Sequence, residues 1–234
     1  MTSKPGLLGG IIAAGEGSRL RQAGWVVPKP MVPVAGIPLI ESAIRNFIAA
    51  GITRLSIIVN EQERDCAAWV RARFPELHLR MIVKTTASSL ESFREVAGGA
   101  VEGRMLVSTV DAWCRPADFA RFVESARRRP REATVLAVTP LVDDEKPLGA
   151  TLDTEGRVTA LGVASPALVT AGVYLVSERA RRLEPPPSLG RLREYLAWLL
   201  DSGEPMYGEV IETVVDVDRA EDVALAEALA ARPS

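Results

Sequence analysis

The chain has 234 residues, 47% apolar and 25% charged, a mixture that can bury a sizeable core in one large domain. A formal net charge of -2 excludes the general basic field used by nucleic-acid and anionic-membrane binders, so any phosphate recognition must rest on local cations. The single histidine, His78, lies in a polar link, and Cys66 and Cys114 have neither disulfide nor zinc spacing, which argues against histidine-based nucleophiles, zinc sites and disulfide frameworks.

In chain order, "LLGGIIAA" (7–14) predicts a buried strand. It runs into "GEGSRLRQAGWVVPKP" (15–30), a stretch rich in glycine and isolated cations. "PLIESAIRNFIAAG" (38–51) carries apolar residues at helical spacing, and "RLSIIVN" (54–60) is a strand. A helix (62–74), a strand (79–85) and a helix (88–98) follow, and Ser88 with Glu91 has capping-box spacing. "RMLVSTV" (104–110) is a strand ending at Asp111, 116–129 a helix with proline at its start, and 132–140 a strand. Strands alternating with helices predict an α/β fold: a three-layer, mostly parallel, Rossmann-like sheet flanked by helices. After Pro140 the rhythm changes. A hairpin (149–162), a strand (169–177), a proline-rich link and helix (185–203), a strand-like run (206–218) and a closing helix (220–232) are expected. The whole reads as one domain, with a nucleotide-binding half at about 1–140 and an acceptor-binding half at about 141–234. No apolar run reaches the roughly 18 residues that span a bilayer, and the N-terminal stretch has no convincing cleavage site. A cytoplasmic protein, with neither nucleic acid nor membrane as partner, is the expectation.

Ligands of open α/β sheets bind beyond the carboxyl ends of the strands, which singles out the loop after residue 14. Gly15 and Gly17 allow sharp turns and close backbone approach, and consecutive amides in such a loop form a nest for phosphate oxygens. Arg19 is a planar bidentate donor, and Lys29 is held between Pro28 and Pro30 as a positioned point charge. "GEGSR" is neither a dinucleotide fingerprint nor a P-loop, because the third glycine and the G-K-[ST] ending are absent. That leaves a dinucleotide-binding oxidoreductase far behind.

The combination of an apolar strand, "AAGEGSRL", "PKP" beginning nine positions after Arg19, and "MVPVAGIPLIESAIRNFIAAG" resembles the nucleotidyltransferase family that makes nucleotide-sugars from nucleoside triphosphates and sugar 1-phosphates. Within it, the likeness is greatest to small bacterial hexose- and amino-sugar-1-phosphate uridylyltransferases, such as the N-acetylmuramate-1-phosphate type. The resemblance implies UTP as the favoured donor and Mg²⁺ as cofactor. It implies nucleotide contacts from Ala13, Ala14, Gly15, Gly17, Ser18 and Arg19, with Thr86, Ser88 and Ser89 as polar candidates near the base. Arg19 and Lys29 are the implied catalytic cations. "MLVSTVDAWCRPADFARF" (105–122) resembles the segment ending in a metal-binding aspartate, here Asp111. "VVDVDRAEDVALAE" (214–227) resembles the closing motif that supplies further metal carboxylates, Asp216 and Asp218. "DRAED" equally suits a helix cap, which favours Asp218 as the cap and Asp216 as the ligand. In "VTAGVYLVS", Gly172 stands at the acceptor-site glycine, and Lys146 and Lys29 are the cations available to an acceptor phosphate.

Three stretches depart from the family pattern. "KTTASSLESF" (84–93) lacks the usual Gln followed by G-T-A, "LGVASPALVTAG" (161–172) lacks a cation, and "QAGWVV" (22–27) is unusually apolar. They leave open a cytidylyltransferase acting on a phospho-alcohol such as phosphocholine, or a catalytically silent nucleotide-sugar-binding subunit.

Overall fold

Apolar runs form the strands and residues at helical spacing form the packing faces of the helices. The computed structural model describes residues 7–99, 102–141 and 147–232. The first part comprises β1 (Leu8–Ala13), the short α1 (Ser18–Gln22), a small hairpin of β2 (Pro33–Val34) and β3 (Ile37–Pro38), α2 (Leu39–Ala49) and β4 (Arg54–Val59). Next come α3 (Arg64–Arg73), β5 (His78–Val83), α4 (Ser89–Ala97), β6 (Met105–Thr109), β7 (Ala112–Trp113), α5 (Pro116–Arg128) and β8 (Thr134–Thr139). The last part holds β9 (Gly149–Leu152), β10 (Val158–Leu161), β11 (Leu168–Val176), α6 (Glu178–Arg182), α7 (Leu192–Asp201), β12 (Met206–Val210), β13 (Val215–Asp216) and α8 (Ala220–Ala230).

One nine-stranded sheet runs β10-β9-β11-β6-β1-β4-β5, with β8 joined to β11 and β12 to β8. β1 pairs in parallel with β4 and β6, and β4 with β5, so all four strands end on the same edge. β11 runs antiparallel between β6 and β8. Successive residues of β1 point to opposite faces: Ile11 and Ala13 join a core with Phe47 of α2, Val70 of α3 and Phe119 of α5. Ile12 joins a second core with Phe93 of α4, Ala180 of α6 and Leu196 of α7. Helices thus cover both faces, giving the expected three-layer α/β architecture. Each buried Val, Leu, Ile or Phe side chain among these contributes about 1.5–3 kcal/mol.

Ser88 caps α4, its side chain accepting from the Glu91 amide, as the spacing predicts. The run 206–218 is not one strand. β12 pairs with β8 through Val210 opposite Val138, and β8 ends one residue later, so the ladder has no partner to continue. The chain leaves the sheet and β13 pairs instead with β7. α1, inside the glycine-rich loop, has no periodic apolar face for sequence reading to detect, since only Leu20 is buried. Among the described residues, no helix is long and apolar enough to cross a membrane.

Candidate active site

Three strand ends supply the site. Beyond β1, Gly17 takes a left-handed conformation (φ 59°, ψ 33°) and starts α1. A Cβ there would lie 2.7 Å from the Lys29 Cβ, so a glycine lets the loop close over the lysine stem. Pro28 and Pro30 hold Lys29 at the start of a single 3₁₀ turn, Lys29–Met31. Its side chain is directed inward and Lys29 is only 8% exposed.

The Lys29 ammonium donates to Asp111 Oδ2 at 2.6 Å and also to Asp218 Oδ1. Arg19 Nη1 donates to the other oxygen, Asp218 Oδ2, at 2.9 Å. Burial by itself would depress the Lys29 pKa, but the charges of Asp111 and then Asp218 outweigh it and hold the group above its ordinary value. Burial likewise opposes the Asp111 charge, and the Lys29 ammonium together with a hydrogen bond from Thr109 holds that carboxyl below its usual range. The backbone fixes this geometry. Val217 N donates to Asp111 O at 3.0 Å, and Asp216 stands opposite Ala112 in the β13–β7 ladder. Oxygens of Asp111, Asp216 and Asp218 lie within 4.8 Å of one another.

Beside this cluster opens a cavity of about 610 Å³. Asp111, Asp216, Ser88 and Ser89 line it, together with Arg191 and Arg193 from the start of α7. Gly172, also in the wall, sits in an irregularity of β11 at φ 71°, where a Cβ would lie 2.6 Å from Thr109 Oγ1.

The nucleotidyl transferase family model matches residues 8–174. The chain belongs to that family. It is 28% identical over 247 positions to the bifunctional IPC transferase and DIPP synthase of Rubrobacter xylanophilus, covering 97% of this chain and 52% of that protein. It is 25% identical over 204 positions to the CMP-5'-(3-aminopropyl)phosphonate synthase of Streptomyces rubellomurinus, covering 80% of this chain and 31% of that one. The chain therefore spans only about a third to a half of the length of these two relatives. Its fold superimposes on the inositol-1-phosphate CTP transferase of T. maritima with a TM-score of 0.81, at 18% identity and with 97% of each chain covered.

The sequence candidates are distributed unevenly over this structure. Arg19, Lys29, Asp111, Asp216 and Asp218 converge. Asp218 is not the helix cap: the Asp222 carboxylate accepts from the Asp218 amide at 2.8 Å and the Arg219 amide at 2.6 Å. That leaves the Asp218 carboxylate turned to Lys29 and Arg19. Ala13 and Ala14 are buried at the end of β1, and Gly15 and Ser18 lie on the loop that leaves it. The hydroxyls at the base end already have partners. Thr86 pairs with Ser92, Ser88 caps α4, and Ser89 accepts from the Leu192 amide at 3.0 Å, tying α4 to α7. Lys146 lies outside the described residues.

Sequence reading missed two features. Asn60, 6% exposed, donates weakly to Ala14 O at 3.5 Å and accepts from Thr85 Oγ1 at 3.1 Å, clamping the ends of β1, β4 and β5 together. An asparagine directly after an apolar strand was the available signal. Arg191 and Arg193 also line the cavity, and the basic pair after the proline-rich link was the available signal. His78 stands exposed at the start of β5, at the opposite edge of the sheet from the site.

An all-oxygen set of three carboxylates suits a hard divalent cation rather than a soft metal. The donor chemistry therefore fits the metal-dependent reaction of the family.

Proposed function

We propose that the chain catalyses nucleotidyl transfer from a pyrimidine nucleoside triphosphate to a phosphate-bearing acceptor, releasing pyrophosphate. The observation that carries this reading is the convergence of Lys29 and Arg19 on Asp111 and Asp218, at the edge of a cavity large enough for a nucleotide and a small acceptor. Residues up to about 140 form the nucleotide half and the remainder the acceptor half. The loop amides around Gly15 to Ser18 cradle the triphosphate, with Ala13 and Ala14 at its base and the Ser88–Ser89 turn beside the base and ribose. Asp111, Asp216 and Asp218 hold Mg²⁺, which supplies charge neutralisation at phosphate oxygens when bound.

The acceptor phosphate is already ionised at neutral pH, so no side chain need act as a base. Catalysis reduces to placing two polyanions in line and offsetting their repulsion. Lys29 meets the transferred and acceptor phosphates, and Arg19 holds the departing pyrophosphate. Arg193 and Arg191, in the cavity lining, hold the acceptor phosphate, and Gly172, whose missing Cβ makes room for Thr109 and Ala112, lines the cavity beside the acceptor body.

UTP with a sugar 1-phosphate is the first reading, from the likeness of the loop and the run through "PKP" to sugar-1-phosphate uridylyltransferases; "AAG" at 13–15 suits uridylyl and cytidylyl transfer alike. CTP with a phosphonate or polyol phosphate is the second, favoured by the activities for which the Streptomyces and T. maritima proteins are named. Pyrophosphate release, measured for UTP and CTP across sugar 1-phosphates, polyol phosphates and aminoalkyl phosphonates, separates them. Turnover with no pair, while triphosphate still binds, refutes both and leaves a silent binding subunit.

A further inference from the structure

Lys29 is engaged by carboxylates and not turned to the phosphates that the proposed chemistry has it meet. To touch two phosphates its ammonium must face the cavity, yet it is buried against Asp111 and Asp218, the carboxylates assigned to the metal. Three carboxylates within 4.8 Å repel one another strongly when nothing positive lies among them. Lys29 and Arg19 supply that positive charge from the protein itself. The backbone of Lys29 is fixed by Pro28, Pro30 and the close approach of Gly17, so only the long side chain is free to swing.

We propose that Lys29 is the resident cation of the metal-free site, and that a divalent ion binds only by displacing its ammonium from Asp111 and Asp218. This inference rests on the metal role assigned to those carboxylates above. Its consequence is a hand-off of charge: arrival of the metal releases the lysine that the phosphates require. The metal alone binds weakly, because it must break two ion pairs that nothing replaces. A triphosphate offers the freed ammonium new acceptors, so triphosphate and metal strengthen each other's binding by the same factor. Metal and lysine thereby become available to the phosphates together, and the acidic cluster is never left uncompensated.

The test uses Mn²⁺ as the probe, titrated into the nucleotide-free protein and followed by electron paramagnetic resonance. Lys29→Met keeps the stem and removes the charge. It is expected to bind Mn²⁺ about tenfold more tightly than the parent, the scale on which one adjacent charge acts. Equal affinity overturns the inference. Because Lys29→Met leaves three acids without their lysine, a second measurement uses the unaltered protein. Acetylation of Lys29, quantified by mass spectrometry, is expected to accelerate severalfold when Mn²⁺ is added without nucleotide. Unchanged labelling at saturating Mn²⁺ overturns the inference equally. A double variant, Asp111→Asn with Asp216→Asn, separates this failure from that of the underlying reading. Loss of Mn²⁺ binding there upholds the metal site whatever Lys29 does, whereas parental Mn²⁺ affinity removes the site and the inference with it.

Discussion

Gly17→Ala tests the geometry that joins the loop to the lysine. Gly17 has φ 59°, and an alanine in that left-handed conformation costs about 1–2 kcal/mol. The new methyl would lie 2.7 Å from Lys29 Cβ, an atom fixed to a backbone flanked by prolines rather than the end of a flexible chain. Relieving such an overlap costs a further 1–3 kcal/mol or so. The sum is about 2–5 kcal/mol, and each kcal/mol is worth about 2–4 °C in a chain of this size. Thermal unfolding without ligand should therefore fall by at least about 4 °C. Gly15→Ala is the internal control. An added Cβ there meets nothing within 4 Å, so its Tm should stay within about 1 °C of the parent. If Gly15 instead lines the triphosphate, that variant raises KM for the nucleotide while keeping its stability. A Gly17→Ala protein that melts with the parent refutes the reasoning, because neither the backbone strain nor the contact with Lys29 could then be real.

Asp111→Asn removes a negative charge paired with a buried ammonium and should lower stability at pH 7 by about 1–3 kcal/mol in urea unfolding, with turnover down at least about 100-fold. The Asp111 carboxyl lies below its usual range, so its stabilisation is complete above the unfolded value near 3.9 and is lost as pH falls through the lower folded value. The parent should accordingly lose stability more steeply than Asp111→Asn below about pH 4. The raised Lys29 has the opposite sense: its contribution is complete below about 10.4 and is lost only as pH climbs beyond that, so neither group tilts the neutral range. Glu63, 8% exposed and with Oε2 lacking a hydrogen-bond partner, does tilt it. Burial pushes its carboxyl up to about 7, so the folded state holds its proton longer than the unfolded chain and stability falls as pH rises from about 4.5 to 7. Glu63→Gln should abolish that fall and gain on the order of 2 kcal/mol at pH 8 over the parent; parallel pH profiles refute it. Arg193→Ala should raise KM for the acceptor about tenfold and leave KM for the triphosphate unchanged, as the role proposed for this cavity-lining arginine requires. Equal effects on both substrates would place Arg193 elsewhere in the reaction.

Which parts of this molecule could be read in advance follows from the range of the interactions involved. The order of strands and helices, the cap at Ser88 and the restricted backbone of Lys29 depend on neighbours within a few residues, where period and turn chemistry act directly. The same local rules misjudged Asp218, because "DRAED" offers several acids to one helix terminus and only the packed fold selects Asp222 for it. They also could not find Asn60, Arg191 or Arg193, whose partners and cavity are assembled from segments far apart in the chain. By itself the sequence determined the α/β class, the glycine loop and which residue types could carry phosphate chemistry. Only the tertiary structure decided that Lys29 meets Asp218 across 189 positions, that β11 enters antiparallel between β6 and β8, and that two arginines at the start of α7, Arg191 and Arg193, line the cavity. The physical reason is that a charge pair or a strand pairing of that separation has no local signature. It exists because the sheet buries its apolar faces in one register, and that register brings the polar ends of distant strands together.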